Sequence, residues 1–147
     1  LMLKNSHVSG YMPAQQPPMR FRFEFGESKI PHPEKAYKGG EDACFADDNI
    51  IVVADGVGGW ADRGVDPSLY SNKLCQLIRD NFYRNPYFYI ADPRQLLVDS
   101  VAANVEVGSA TVTVLTLEPT TGILRSAYLG DSVFSIYRAT PYHGYIE

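Results

Sequence analysis

The sequence is poor in the residues that most directly announce a chemistry. Two cysteines, Cys44 and Cys75, and three histidines, His7, His32 and His143, are spread over 147 residues. The cysteines have no metal-ligand spacing, which argues against a disulfide scaffold; both read as buried structural thiols, compatible with a reducing compartment. The histidines fall in loops or near the ends and read as exposed loop residues, so no Ser/His/Asp triad can be placed. Basic charge is short too: 13 Lys plus Arg against 17 Asp plus Glu leave a formal charge of −4, which argues against a nucleic-acid partner held by phosphate neutralisation. Long apolar runs are missing. The longest aliphatic run, Ile50 to Ala54, falls well short of the roughly 20 residues a bilayer span needs, so no membrane span is expected and the protein is expected to be soluble.

What is present fits one globular domain: 45% hydrophobic and 20% charged residues, with 12 Gly and 10 Pro. The chain opens on Leu1, as a trimmed or partial chain would. Residues 1–19, with three prolines and two glutamines between Met12 and Pro18, read as an extended lead-in. From Arg20 to Phe25, Phe21, Phe23 and Phe25 alternate with Arg20, Arg22 and Glu24, which predicts an opening strand. Asp42 to Ala46 and Ile50 to Ala54, around the tip Asp47-Asp48-Asn49, predict a hairpin.

Asp66-Pro67 is a cap followed by a proline at the first helical position. Tyr70, Leu74, Leu77 and Ile78 then give an apolar stripe that ends at Asn85-Pro86. Asp92-Pro93 repeats the start signal, with Leu96, Leu97 and Val101 on the apolar face of a second helix. Ala110 to Leu117, Ile123 to Leu129 and Val133 to Arg138 predict a three-stranded meander. Strands before and after a helical pair, joined by short turns, indicate antiparallel sheets with helices packed outside, an α+β arrangement.

If Asp48 and Asn49 are the central residues of a tight turn, Asp42 comes directly opposite Asp55. Two carboxylates so placed repel unless a proton or a cation intervenes, and Glu41 adds a third beside them. Hard divalent ions such as Mg²⁺ and Mn²⁺ take such oxygens, and Gly56 could add a backbone carbonyl. The hairpin alone fits an ordinary acidic rim equally well. Asp131, in the turn Gly130-Asp131-Ser132, is a further carboxylate at a strand end and shifts the balance towards an ion site, although by itself it reads as a plain turn residue. Gly56 to Ala61 loosely satisfies a dinucleotide fingerprint, but the next helix starts only near Pro67 and Asp55 would repel a phosphate in the absence of a metal. Trp60 reads as either a lid over the site or a packing anchor, packing being the commoner use of such a residue.

Four blocks, Gly40-Glu41-Asp42-Ala43-Cys44-Phe45, Val53 to Trp60, Gly108-Ser109-Ala110-Thr111 and Leu129-Gly130-Asp131-Ser132, resemble in order and spacing the signatures of the type 2C, metal-dependent protein phosphatases. Phe25-Gly26, Ile30 to Pro33, Lys38 to Gly40 and Gly64 to Pro67 resemble more narrowly a mitochondrial branch linked to coenzyme Q metabolism. The resemblance covers roughly Phe21 to Arg138. It implies an αββα-type antiparallel β-sandwich flanked by helices and incomplete in this chain, with residues 20–147 as the N-terminal half of the domain. It also implies two Mg²⁺ or Mn²⁺ ions and a weaker third.

By the same resemblance Asp55 bridges the ions, the Gly56 carbonyl binds one, and Asp42 and Glu41 hold ion-bound waters, with Asp42 and Asp55 the catalytic pair. Asp131 helps hold the third ion. The implied reaction is hydrolysis of phosphoserine or phosphothreonine in a protein substrate by an ion-activated hydroxide. Lys38 stands near the position of a phosphate-binding arginine, without that residue's bidentate fork. Val57 replaces a histidine acid found in some relatives. Later aspartate blocks have no counterpart before Glu147, so a complementary C-terminal half and an inactive isolated chain are expected. A non-catalytic phosphatase-like binding or regulatory module is the alternative. The resemblance implies a mitochondrial location; otherwise the chain would be an intracellular soluble protein.

Overall fold

The computed structural model describes residues 20–33, 39–140 and 144–146. The lead-in, Lys38, His7 and His143 lie outside the described residues. Among the described residues six strands and three α-helices follow in chain order: β1 (Ala43–Asp47), β2 (Ile50–Gly56), α1 (Pro67–Arg84), α2 (Pro86–Ala91), α3 (Pro93–Ala103), β3 (Ala110–Leu117), β4 (Leu124–Leu129), β5 (Arg138–Thr140) and β6 (Gly144–Ile146). A 3-10 turn over Gly58–Arg63 links β2 to α1. β1 to β4 form one antiparallel sheet in chain order, and β5 pairs with β6. This is the expected α+β class.

The core lies between the sheet and the helices. Alternation in β2 sends Ile50, Val52 and Ala54 to one side, where Val112 and Val114 of β3 join them. Leu74, Ile78 and Phe82 of α1 and Leu96 and Leu97 of α3 close over that surface. Asp66 and Asp92 cap α1 and α3, accepting from the backbone N–H of Ser68 (3.0 Å) and Gln95 (2.9 Å). Each is followed by a proline whose missing N–H costs nothing at the first helical position. Pro86 does the same for α2, a short helix the apolar period does not reveal: the proline that ends α1 also starts the next turn.

Three expectations need correction. Arg20 to Phe25 forms no strand. Phe21 N–H and Phe23 N–H donate to the carbonyls of Pro119 and Asp48, both at 2.7 Å. The segment therefore lies across two turns instead of along a strand, and Phe21 and Phe25 stay exposed. Val133 to Arg138 is irregular up to β5, because Ser132 is bonded to β3 and draws the chain across the sheet face instead of alongside β4. Cys44 is exposed, whereas Cys75 is buried. Ala43 takes the helix-facing position in β1, so its neighbour points to the other face.

Candidate metal centre

The open end of the β1–β2 hairpin carries the acidic residues. Ala43 pairs with Ala54 and Asp47 with Ile50, so the register continued by one residue sets Asp42 opposite Asp55. The Gly56 N–H donates to the Glu41 carbonyl at 3.2 Å, which carries the pairing past the strand proper. That same carbonyl accepts from Ser71 Oγ at 2.5 Å. Ser71 is fully buried on α1, so the helix fixes the backbone on which Glu41 and Asp42 stand. Gly56 is required by close approach: a Cβ there would lie 2.5 Å from the Glu41 carbonyl oxygen and 3.0 Å from that of Pro67.

Asp131 reaches the same end of the sheet from β4. Asp55 pairs with Thr111 of β3, and Thr111 Oγ1 lies 2.5 Å from Ser132 Oγ. The Ser132 carbonyl also accepts from Thr113 Oγ1 at 3.4 Å. Gly130 turns the chain at φ 88° against the Thr111 side chain, whose Cγ2 would sit 2.7 Å from any added Cβ. The row Asp42, Asp55, Thr111 is thus extended by the turn that holds Asp131.

The electrostatics follow from this crowding. Partial burial, then a hydrogen bond with Asp42, then the negative charges of Asp42, Asp131 and Glu41 raise the Asp55 carboxyl above the usual aspartate value. All the donors are hard oxygens, and the excess negative charge gathered on Asp55 is of the kind a divalent cation relieves, so the donor chemistry fits Mg²⁺ or Mn²⁺. No three His, Cys, Asp or Glu side chains among the described residues converge closely enough to hold an ion. The structure therefore brings Asp42, Asp55, Glu41 and Asp131 into mutual electrostatic range without closing a cage.

Between β2 and α1 the glycine-rich loop is tethered rather than loose. Val57 N–H donates to the Ser109 carbonyl at 3.0 Å and Trp60 Nε1 to Ser109 Oγ at 2.8 Å. The Arg63 guanidinium lies 5.4 Å from the Trp60 ring centre. Half-buried Trp60 thus fastens the loop to Ser109. On the outer edge of β1, Lys29 Nζ donates to the Asp42 carbonyl at 2.7 Å. The supporting residues Ser71, Ser109, Thr111 and Ser132 were not assigned roles by sequence reasoning. A small hydroxyl residue carries no local signal of the strand it will fasten.

No family model matches the chain. It is 38% identical over 133 residues to the probable protein phosphatase 2C 1 of Oryza sativa subsp. japonica, covering 88% of this chain and 39% of that protein. It is 35% identical over 108 residues to the protein phosphatase PTC7 homolog of Homo sapiens, covering 67% and 35%. Among solved structures, the X-ray structure of the photosystem II phosphatase PBCP superposes with a TM-score of 0.63 at 46% identity, covering 69% of this chain and 40% of that one. The chain thus spans about two fifths of the length of such relatives. These similarities support placing it in the type 2C protein phosphatase family, and the solved neighbour shares its arrangement of a four-stranded antiparallel sheet with flanking helices.

Proposed function

We propose that this chain carries the N-terminal part of a metal-dependent protein serine/threonine phosphatase. The observation that supports this most is the meeting of acidic residues from three separate stretches, Glu41-Asp42, Asp55 and Asp131, at one end of the sheet. The phosphatase relatives make protein substrates the natural class.

In this proposal Asp42 and Asp55, with the Gly56 carbonyl, hold two Mg²⁺ or Mn²⁺ ions, Glu41 orients waters around them, and Asp131 contributes to a weaker third. When bound, such ions lower the pKa of water and stabilise charge on phosphoryl oxygens. The chain's own residues do the positioning. Ser71 and Gly56 fix the Glu41 backbone, Thr111 and Ser132 hold the Asp131 turn, and Ser109 fastens the loop after Asp55. Lys38 would add positive charge for the phosphate.

The 147-residue chain alone is expected to turn over little or no substrate. The test is Mn²⁺-dependent phosphate release from a phosphoserine or phosphothreonine peptide by the full-length gene product. Asp55→Asn should lower the rate by at least about 100-fold, and unchanged turnover would sink the role given to Asp55.

The unclosed set of carboxylates and Val57 favour a second reading, a non-catalytic phosphatase-like module. Calorimetric titration of the folded full-length product with Mn²⁺ separates the two. Absence of binding favours the module, and two bound ions favour the enzyme.

Two compartments have support. Similarity to the PTC7 homologs accords with the mitochondrial location implied by the sequence motifs. The higher identity to a photosystem II phosphatase favours a photosynthetic phosphoprotein as substrate. Fractionation of cells expressing the tagged full-length product decides between them. Among the described residues no helix is long and apolar enough to cross a membrane.

A further inference from the structure

We propose that the groove at the tip of the β1–β2 hairpin, remote from Asp55, docks an extended acidic segment of a protein partner. The groove encloses about 480 Å³, and its walls include Arg20, Phe21, Arg22, Asp48, Tyr87 and Ile90. Its shape follows from how the failed opening strand is held. Phe21 N–H and Phe23 N–H bond inward to the carbonyls of Pro119 and Asp48, and the Phe21 ring lies over Gly122, where an added Cβ would sit 3.2 Å from three ring carbons. Bonding through alternate N–H groups is the pattern of an extended backbone. In that conformation Arg20 and Arg22, two residues apart, share one side with roots about 6.4–6.8 Å from each other.

That spacing is the repeat of alternate side chains in any extended peptide. Two acidic residues at positions i and i+2 of a partner strand would therefore match the two guanidiniums, each of which can grip a carboxylate with two parallel donors. Among the described residues neither Arg20 nor Arg22 is hydrogen-bonded or ion-paired. Among the described residues Asp48 is the single carboxylate on the groove wall, and the adjacent Asp47 carboxylate already accepts from the Tyr83 hydroxyl. The groove is thus locally basic on a chain of formal charge −4. Tyr87, 80% exposed, supplies apolar surface for a side chain flanking the acidic pair. Two arginines are too few for a nucleic-acid backbone on a chain of this net charge. Residues 1–19 of the chain contain Lys4 and no Asp or Glu, so they have the wrong sign to be the occupant.

The groove's part in substrate recognition rests on the phosphatase proposal; the docking itself does not. Five residues of β2 lie between Asn49 and Asp55, so the two are six steps, about 20 Å of extended chain, apart. A substrate engaging both places would carry its acidic pair about 6–8 residues from the phosphorylated one.

The test is fluorescence anisotropy at low salt with a dye-labelled peptide, Glu-Leu-Glu-Leu-Glu-Leu, which has no phosphate and needs no metal. Saturable binding is expected, weakened at least about fivefold by the double change Arg20→Glu and Arg22→Glu, reduced by added NaCl, and unaltered by Asp55→Asn. Absence of saturable binding, insensitivity to the double reversal, or equal affinity for Lys-Leu-Lys-Leu-Lys-Leu would overturn the proposal. Both arginines are exposed, so the variant should melt like the parent. If it does not, Arg22→Gln alone must weaken binding at least about twofold, and failure to do so is equally decisive. Loss of phosphatase activity in a separate assay leaves this binding result untouched, so the two proposals fail independently.

Discussion

Ser132 Oγ lies 2.5 Å from Thr111 Oγ1, and Thr111 is the residue paired with Asp55 across β2 and β3. One hydroxyl contact therefore ties the turn that carries Asp131 to β3, the strand paired with the one that carries Asp55. Thr111→Val deletes it while keeping the β-branched shape. The expected cost is about 0.5–1.5 kcal/mol in a urea unfolding series, with Mn²⁺ affinity of the full-length product falling roughly tenfold. Unaltered Mn²⁺ binding would mean that Asp131 is positioned by something else.

Asp55 should make the metal-free chain less stable as pH rises. Its folded carboxyl titrates above the ordinary aspartate value, so between the two values the folded state holds more protons than the unfolded one. The favourable contribution is complete below the ordinary value and is lost as pH climbs through the raised one. At neutral pH Asp55→Asn removes a like-charge pair facing Asp42. Thermal melts in chelator should show a midpoint higher by about 1–4 °C, and Mn²⁺ should stabilise the parent more than the variant. A lower midpoint for the variant in chelator would show that the repulsion is already relieved.

Gly56→Ala is expected to destabilise the chain by about 1–3 kcal/mol. The new methyl would sit 2.5 Å from the Glu41 carbonyl oxygen, itself held by buried Ser71. Neither backbone can yield without breaking a hydrogen bond. Chemical denaturation gives the magnitude, and Gly59→Ala, where an added Cβ meets nothing within 4 Å, serves as the control and should change stability by less than about 1 kcal/mol.

Tyr83 should be among the last tyrosines to ionise. Its hydroxyl donates to Asp47, and that bond, then burial, then the Asp47 charge push its pKa from 10.0 up to about 12. The unfolded chain releases this proton near 10, so stability attached to Tyr83 is intact below pH 10 and fades between 10 and 12. Absorbance titration at alkaline pH should lose its latest-titrating component in Tyr83→Phe. An unchanged titration curve would show that the bond to Asp47 is absent in solution.

Much of this architecture is written locally. Asp66-Pro67 and Asp92-Pro93 start helices because a carboxylate cap followed by proline is a property of three or four neighbouring residues. The short tip Asp48-Asn49 sets the hairpin register, and with it Asp42 opposite Asp55, because a two-residue turn leaves no freedom in which residues pair. The alternating phenylalanines of Arg20 to Phe25 were misleading for the complementary reason. Alternation states which side chains could share a face, but a strand also needs a neighbour's free ladder groups, and among the described residues only Pro119 and Asp48 offer carbonyls to this segment.

The sequence by itself determined the hairpin, the helix starts and the acidic residue types at strand ends, since each depends on contacts within a few residues along the chain. Only the tertiary structure decided that the Asp131 turn is fastened to Thr111, that Ser71 of α1 holds the Glu41 carbonyl, and that Cys44 faces away from the helices. Those facts join residues 21 and 30 positions apart, or depend on which face of a sheet a helix covers. Such pairings are settled by packing the whole core rather than by any local pattern.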